Sequence, residues 1–115
     1  MTNRYDKMED YVASIFNVFQ LVNKKSEQQQ DKRMKMIALV IFNYVKFMAK
    51  EFVIDLKTVQ HEESINLIPI FEYVAANDIE LYDFKTINMN DVDITKKEDL
   101  ERYVLTHIYY ITQGK

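Results

Sequence analysis

An all-α fold, a small helical bundle with a long central helix, follows from three observations on the sequence. Apolar residues recur at spacings of three and four over long stretches, and strand-like alternation is confined to the segment between 78 and 94. Two capping boxes, Ser26 with Gln29 and Thr95 with Glu98, mark helix starts. One domain spanning residues 1–115 is expected, because 115 residues can bury a core of their own and no Pro-, Gly- or Ser-rich stretch divides the chain.

The first helix carries Tyr5, Met8, Val12, Ile15, Phe19 and Val22 along one seam, widened by Phe16. Its stripe ends near Asn23, and the polar run from Lys24 to Arg33 reads as a hairpin connection. Ser26 and Gln29 then start a second helix, running from about Glu27 to Glu51 and apolar on nearly every side, with a thin polar stripe of Lys35, Asn43, Lys46 and Lys50. Such a helix must be surrounded, and three short neighbours cover it poorly, so a homodimer burying aromatic and Met side chains is predicted. Lys46, Lys50 and Glu51 argue against a membrane span in the same stretch.

Asp55 or Thr58 could cap a short helix through Gln60 and Glu63. Pro69 belongs in the first turn of a third helical region that turns Phe71, Val74 and Ala75 inward and ends near Asn77. From Asp78 to Ile94 the helical period is lost, and with no Gly for a tight hairpin an extended, strapped-down loop is preferred. Leu100, Val104, Ile108 and Ile111, with Tyr103 and His107, form the stripe of a last helix over 96–112.

Composition excludes several chemistries. The only glycine is Gly114, so no phosphate-cradling loop, dinucleotide fingerprint or nucleophile elbow is present. Zero cysteines remove disulfides and thiolate chemistry. Eight Tyr and seven Phe in a chain 48% hydrophobic mark a folded rather than a disordered protein. Nothing at the N-terminus reads as a secretory signal, so a cytoplasmic location is expected. Twelve Lys against three Arg, with abundant Ile and Asn, suggests an AT-rich genome such as that of a low-GC bacterium, its phages or another mobile element.

Catalytic and metal constellations fail on spacing. His61-Glu62-Glu63 opens like a zinc-protease helix, but position 65 is Ile rather than the required second His. The Asn88–Glu98 stretch has calcium-loop composition without the register of a calcium loop. The carboxylate pairs Asp6/Asp10 and Glu98/Glu101 fall on expected solvent faces. No metal, no cofactor and no enzymatic activity are expected.

Charge is divided along the chain. Residues 1–50 hold nine Lys/Arg against five Asp/Glu, whereas residues 51–101 hold four against thirteen. The halves either face one another, within the fold or across a second copy, or recognise different partners. The reading preferred is a protein–protein interaction module, a small adaptor or inhibitor, with partner-binding residues Tyr73, Asp78, Glu80, Tyr82, Asp83 and Phe84 in the acidic, aromatic segment. The alternative is a dimeric nucleic-acid-binding regulator that uses Lys24, Lys25, Lys32, Arg33 and Lys35 at the hairpin.

Overall fold

The structure, a computed structural model, describes residues 3–59, 65–87 and 91–113, with side chains from Met8 to Thr112 in those ranges. Four α-helices follow in order, α1 (Asn3–Gln29), α2 (Lys32–Glu51), α3 (Ile68–Ala76) and α4 (Lys97–Gln113), with a 3₁₀ turn at Leu56–Thr58. No strand occurs among the described residues, and the all-α bundle expected from the sequence is observed. His61, Glu62, Glu63, Asn88 and Asn90, and the side chains of Tyr5 and Asp6, lie outside the described set.

The α1 seam is formed as expected, with Val12, Ile15 and Val22 buried and Met8, Phe16 and Phe19 packed around them. Tyr11 and Val18 join the buried set. The end of α1 differs from expectation. The helix continues past Asn23 to Gln29, because Ser26 occupies the next position on the inner face, 2% exposed, with its hydroxyl donated to the Asn23 carbonyl at 2.7 Å. A small residue that satisfies its own hydroxyl extends an apolar seam, so Ser26 does not cap α2. The cap is Asp31, whose carboxylate accepts the backbone N–H groups of Arg33 and Met34 at 3.0 and 3.1 Å. The connection between α1 and α2 therefore shrinks to Gln30 and Asp31.

Helix α2 buries Ala38, Ile41, Tyr44, Val45, Met48 and Ala49 against α1 and α4. Phe42 stacks on Phe19 of α1 with ring centroids 4.7 Å apart. Pro69 sits in the first turn of α3, where its missing N–H costs nothing, and Asn77 ends the helix. Ile70 is the fully buried residue of α3, while Phe71 and Val74 are half-buried and Ala75, expected inside, is exposed.

The segment after α3 is a strap laid over α4. Tyr82 donates its backbone N–H to the Thr106 hydroxyl at 3.0 Å, and Arg102 donates Nε to the Glu80 carbonyl at 2.6 Å. Its cover explains why six consecutive residues of α4, Tyr103 to Ile108, are buried, when a helix packed on one side would bury only a stripe. Ile111, expected in the stripe, lies beyond that cover and is 43% exposed. Helix α4 opens at Lys97, and the hydroxyl of Thr95 is donated to the Asp93 carboxylate.

Without glycine, three helices end on other residues in the left-handed region. Gln30, Val53 and Asp78 have φ of 52°, 54° and 52°. Each is followed by the paired bonds of a Schellman motif: Asp31 to Ser26 and Gln30 to Glu27, Ile54 to Ala49 and Val53 to Lys50, Ile79 to Val74 and Asp78 to Ala75.

Candidate interaction surfaces

The residues expected to bind a partner divide between two environments. Asp78, Glu80 and Asp83 are exposed, whereas Tyr73, Tyr82 and Phe84 are half-buried. Phe84 stacks on Tyr110 at 3.9 Å and meets the edge of His107 at 5.2 Å, and Tyr82 lies under the Arg102 guanidinium at 4.1 Å. Those two aromatics hold the strap on α4, and what faces water is a row of carboxylates.

Tyr73 belongs to an interior node fed by all four helices. Tyr44 of α2 donates its hydroxyl to Glu101 of α4 at 2.6 Å, and Tyr73 of α3 donates to the same carboxylate oxygen at 2.8 Å. The Tyr44 hydrogen being committed, Tyr11 of α1 is the donor in the 2.6 Å contact between the two hydroxyls. Tyr11 also stacks on Tyr73, with centroids 3.9 Å apart. Burial first, and the Glu101 carboxylate with it, push the Tyr44 and Tyr73 hydroxyls above the ordinary tyrosine range; burial does the same for Tyr11. Hydroxyls moved that far from neutrality are poor general acids or bases, so the node is read as a tie between helices. Glu101, expected on a solvent face, is thus a structural acceptor. Its spacing from Glu98 gave no hint, because the signal lies in tyrosines drawn from three other helices.

His107 is buried between Tyr103 and Phe84 and donates Nδ1–H to the Tyr103 carbonyl at 2.9 Å. Burial pulls its pKa below the ordinary 6.5, the Tyr103 bond opposes this, and the Arg33 charge adds to it. A histidine held neutral contributes stability that is complete above the unfolded value and is lost as pH falls from there through the depressed folded value. Urea unfolding of the wild-type protein should therefore show a loss of stability as pH falls below the ordinary histidine value of 6.5 that is smaller in His107→Phe. Equal slopes in the two proteins would remove His107 as the cause.

All five hairpin cations, Lys24, Lys25, Lys32, Arg33 and Lys35, are exposed, and Lys35 lies 4.0 Å from Glu27. Lys24 and Lys25 lie before the last turn of α1. Lys32, Arg33 and Lys35 open α2, where the helix dipole is itself positive, and so weaken the helix they stand on.

Sequence reasoning finds α2 poorly covered and names its polar stripe, but not which apolar residues stay exposed on its outward side. Met36 is 66% exposed, Leu39 54% and Phe47 46%, all on one face at helical spacing. Lys32, Lys35, Lys46 and Lys50, all exposed, stand along the same face. Lys46 reaches over the Phe42 ring at 5.1 Å, and Lys97 of α4 pairs with Glu51 at 3.3 Å and lies 5.9 Å from the Phe47 ring. The polar stripe of Lys35, Asn43, Lys46 and Lys50 read from the sequence runs along this face, which the fold leaves uncovered together with the apolar residues beside it.

A cleft of about 250 Å³ between α1 and the 54–59 stretch is lined by Glu9, Asp10, Ala13, Asn17, Ile54, Thr58 and Val59. The Oδ1 of Asn17 is buried without a hydrogen-bond partner among the described residues. Among those residues, no group of three or more His, Cys, Asp or Glu could hold a metal ion, and no helix is long and apolar enough to cross a membrane. No family model, curated protein or solved structure matches this chain.

Proposed function

We propose that this chain is a non-enzymatic protein–protein interaction module whose contact face is the outward side of α2. The observation that carries the reading is the exposure of Met36, Leu39 and Phe47 on one helix face of a small bundle. Large apolar side chains aligned at helical spacing are what a partner buries, and Met and Phe are enriched in such contacts. The carboxylate row Asp78, Glu80 and Asp83 is a secondary surface, since the aromatics that would anchor a partner there are turned into the fold.

Capture from cytosol with a tagged protein tests the reading. Leu39→Asp, at an exposed position, should abolish partner capture and leave the thermal transition in place, while reversal of Asp78, Glu80 and Asp83 to Lys should weaken capture less. Capture indifferent to Leu39→Asp would remove α2 as the contact. A second reading, nucleic-acid binding through the hairpin cations, is favoured by the exposure of all five and by three of them standing at a helix start that disfavours them. It requires recovered nucleic acid that disappears on nuclease treatment and on Ala substitution of Lys24, Lys25, Lys32, Arg33 and Lys35.

A further inference from the structure

Resting on the interaction-module reading, we infer that the outward face of α2 receives a helix of a different protein, one whose apolar stripe is framed at both ends by Asp or Glu. Lys32 and Lys35 stand before the apolar residues Met36, Leu39 and Phe47, Lys50 stands after them, and Lys46 lies beside Phe47. Lys35 and Lys50 are fifteen positions apart, about 22 Å along the helix. A partner helix of about four turns, with apolar anchors at i, i+3 or i+4, i+7 and i+11 and carboxylates flanking them, matches that spacing.

Charge decides between a foreign partner and a second copy. Helix α2 holds Lys32, Arg33, Lys35, Lys46 and Lys50 against Glu51, and Glu51 is paired with Lys97. An antiparallel copy would bring Lys32 and Lys35 against Lys46 and Lys50, and a parallel copy would set each lysine beside its duplicate. Both arrangements bring like charges together around the apolar contact, which suppresses pairing. The cations in the first turn point the same way, because they oppose the α2 dipole, and apart from the exposed 4.0 Å contact of Lys35 with Glu27 an external anion is what would offset that cost. A lipid surface would satisfy the lysines but not Asn43, whose exposed amide lies mid-face and would be desolvated against acyl chains. A protein helix can offer that amide a polar side chain.

The test uses two stapled helical peptides with the same Leu anchors, one framed by Glu and one by Lys, and reads binding to the full chain by fluorescence anisotropy. The Glu-framed peptide should bind at least about tenfold more tightly than the Lys-framed one and weaken as salt is added. The double variant Lys46→Glu, Lys50→Glu should reduce or invert that preference, and Leu39→Asp should remove binding of the Glu-framed peptide; circular dichroism confirms that both variants fold. Equal binding of the two peptides, no binding of either, or a preference for phosphatidylserine–phosphatidylcholine vesicles over the Glu-framed peptide overturns the inference. A light-scattering mass near twice 13.8 kDa that Leu39→Asp returns to 13.8 kDa also overturns it, but leaves α2 as the interaction face. Peptide binding that survives Leu39→Asp overturns the α2 reading itself.

Discussion

Glu101→Leu should lower the free energy of unfolding by about 3 kcal/mol, the largest effect expected of any single change outside the apolar core. The substitution takes the common acceptor from Tyr44 and Tyr73, whose hydroxyls reach it at 2.6 and 2.8 Å. Tyr44 is 1% exposed and cannot turn its hydroxyl to water, so most of the loss falls there; Tyr73, half-buried, recovers part of its share from solvent. Against a total of about 5–15 kcal/mol for a domain, this is a large fraction. Urea unfolding measures it, with Glu98→Leu as an exposed control expected to change stability by no more than about 0.5 kcal/mol. Tyr44→Phe should cost less in the Glu101→Leu background than alone, since its own acceptor is already gone. A Glu101→Leu loss no larger than that of the control would mean that the node contributes nothing.

The second large effect is a gain. Val53 is 91% exposed, so its side chain contributes little packing, yet it holds φ at 54°, where a β-branched residue is strained. Val53→Gly relieves a left-handed cost of about 1–2 kcal/mol and adds back about 0.5–1 kcal/mol of chain entropy, for a net stabilisation of about 1 kcal/mol. Gln30→Gly should give less, and Asp78→Gly least, because Asp tolerates this conformation better than most side chains. The three sites lie at the ends of different helices and share no partner, so the triple variant should gain about 2 kcal/mol in unfolding measurements. No gain at Val53 would show that the strain is relaxed in solution.

The helices were legible because burial imposes a period on residues such as Val12, Ile15, Val22, Val104 and Ile108. Pro69 and Asn77 were legible as punctuation for a related reason, since a fixed φ and a short polar side chain act locally. Ser26 misled because its hydroxyl serves a carbonyl one turn back as readily as a new helix start, and the difference depends on which face meets the core. Tyr73, Tyr82 and Phe84 were identifiable as aromatics near carboxylates, but no local rule says that Tyr73 stacks on Tyr11 or Phe84 on Tyr110. The outward face of α2 was half legible, because the stripe of Lys35, Asn43, Lys46 and Lys50 marks the side, while a helix apolar nearly all round does not reveal that Met36, Leu39 and Phe47 stay bare beside it.

The two-residue link at Gln30 and Asp31 also orders events in time. With α1 and α2 joined so closely, contacts such as Phe19 on Phe42 need only a small loop to close, and such local pairings form fast. The Tyr44 to Glu101 bond spans 57 positions and must wait for α4 to arrive. The helical hairpin is therefore the natural nucleus, and docking of α4 the step that completes the fold. Met36 and Leu39 need nothing from that later step, so the outward side of α2 takes shape while the rest of the chain is still searching.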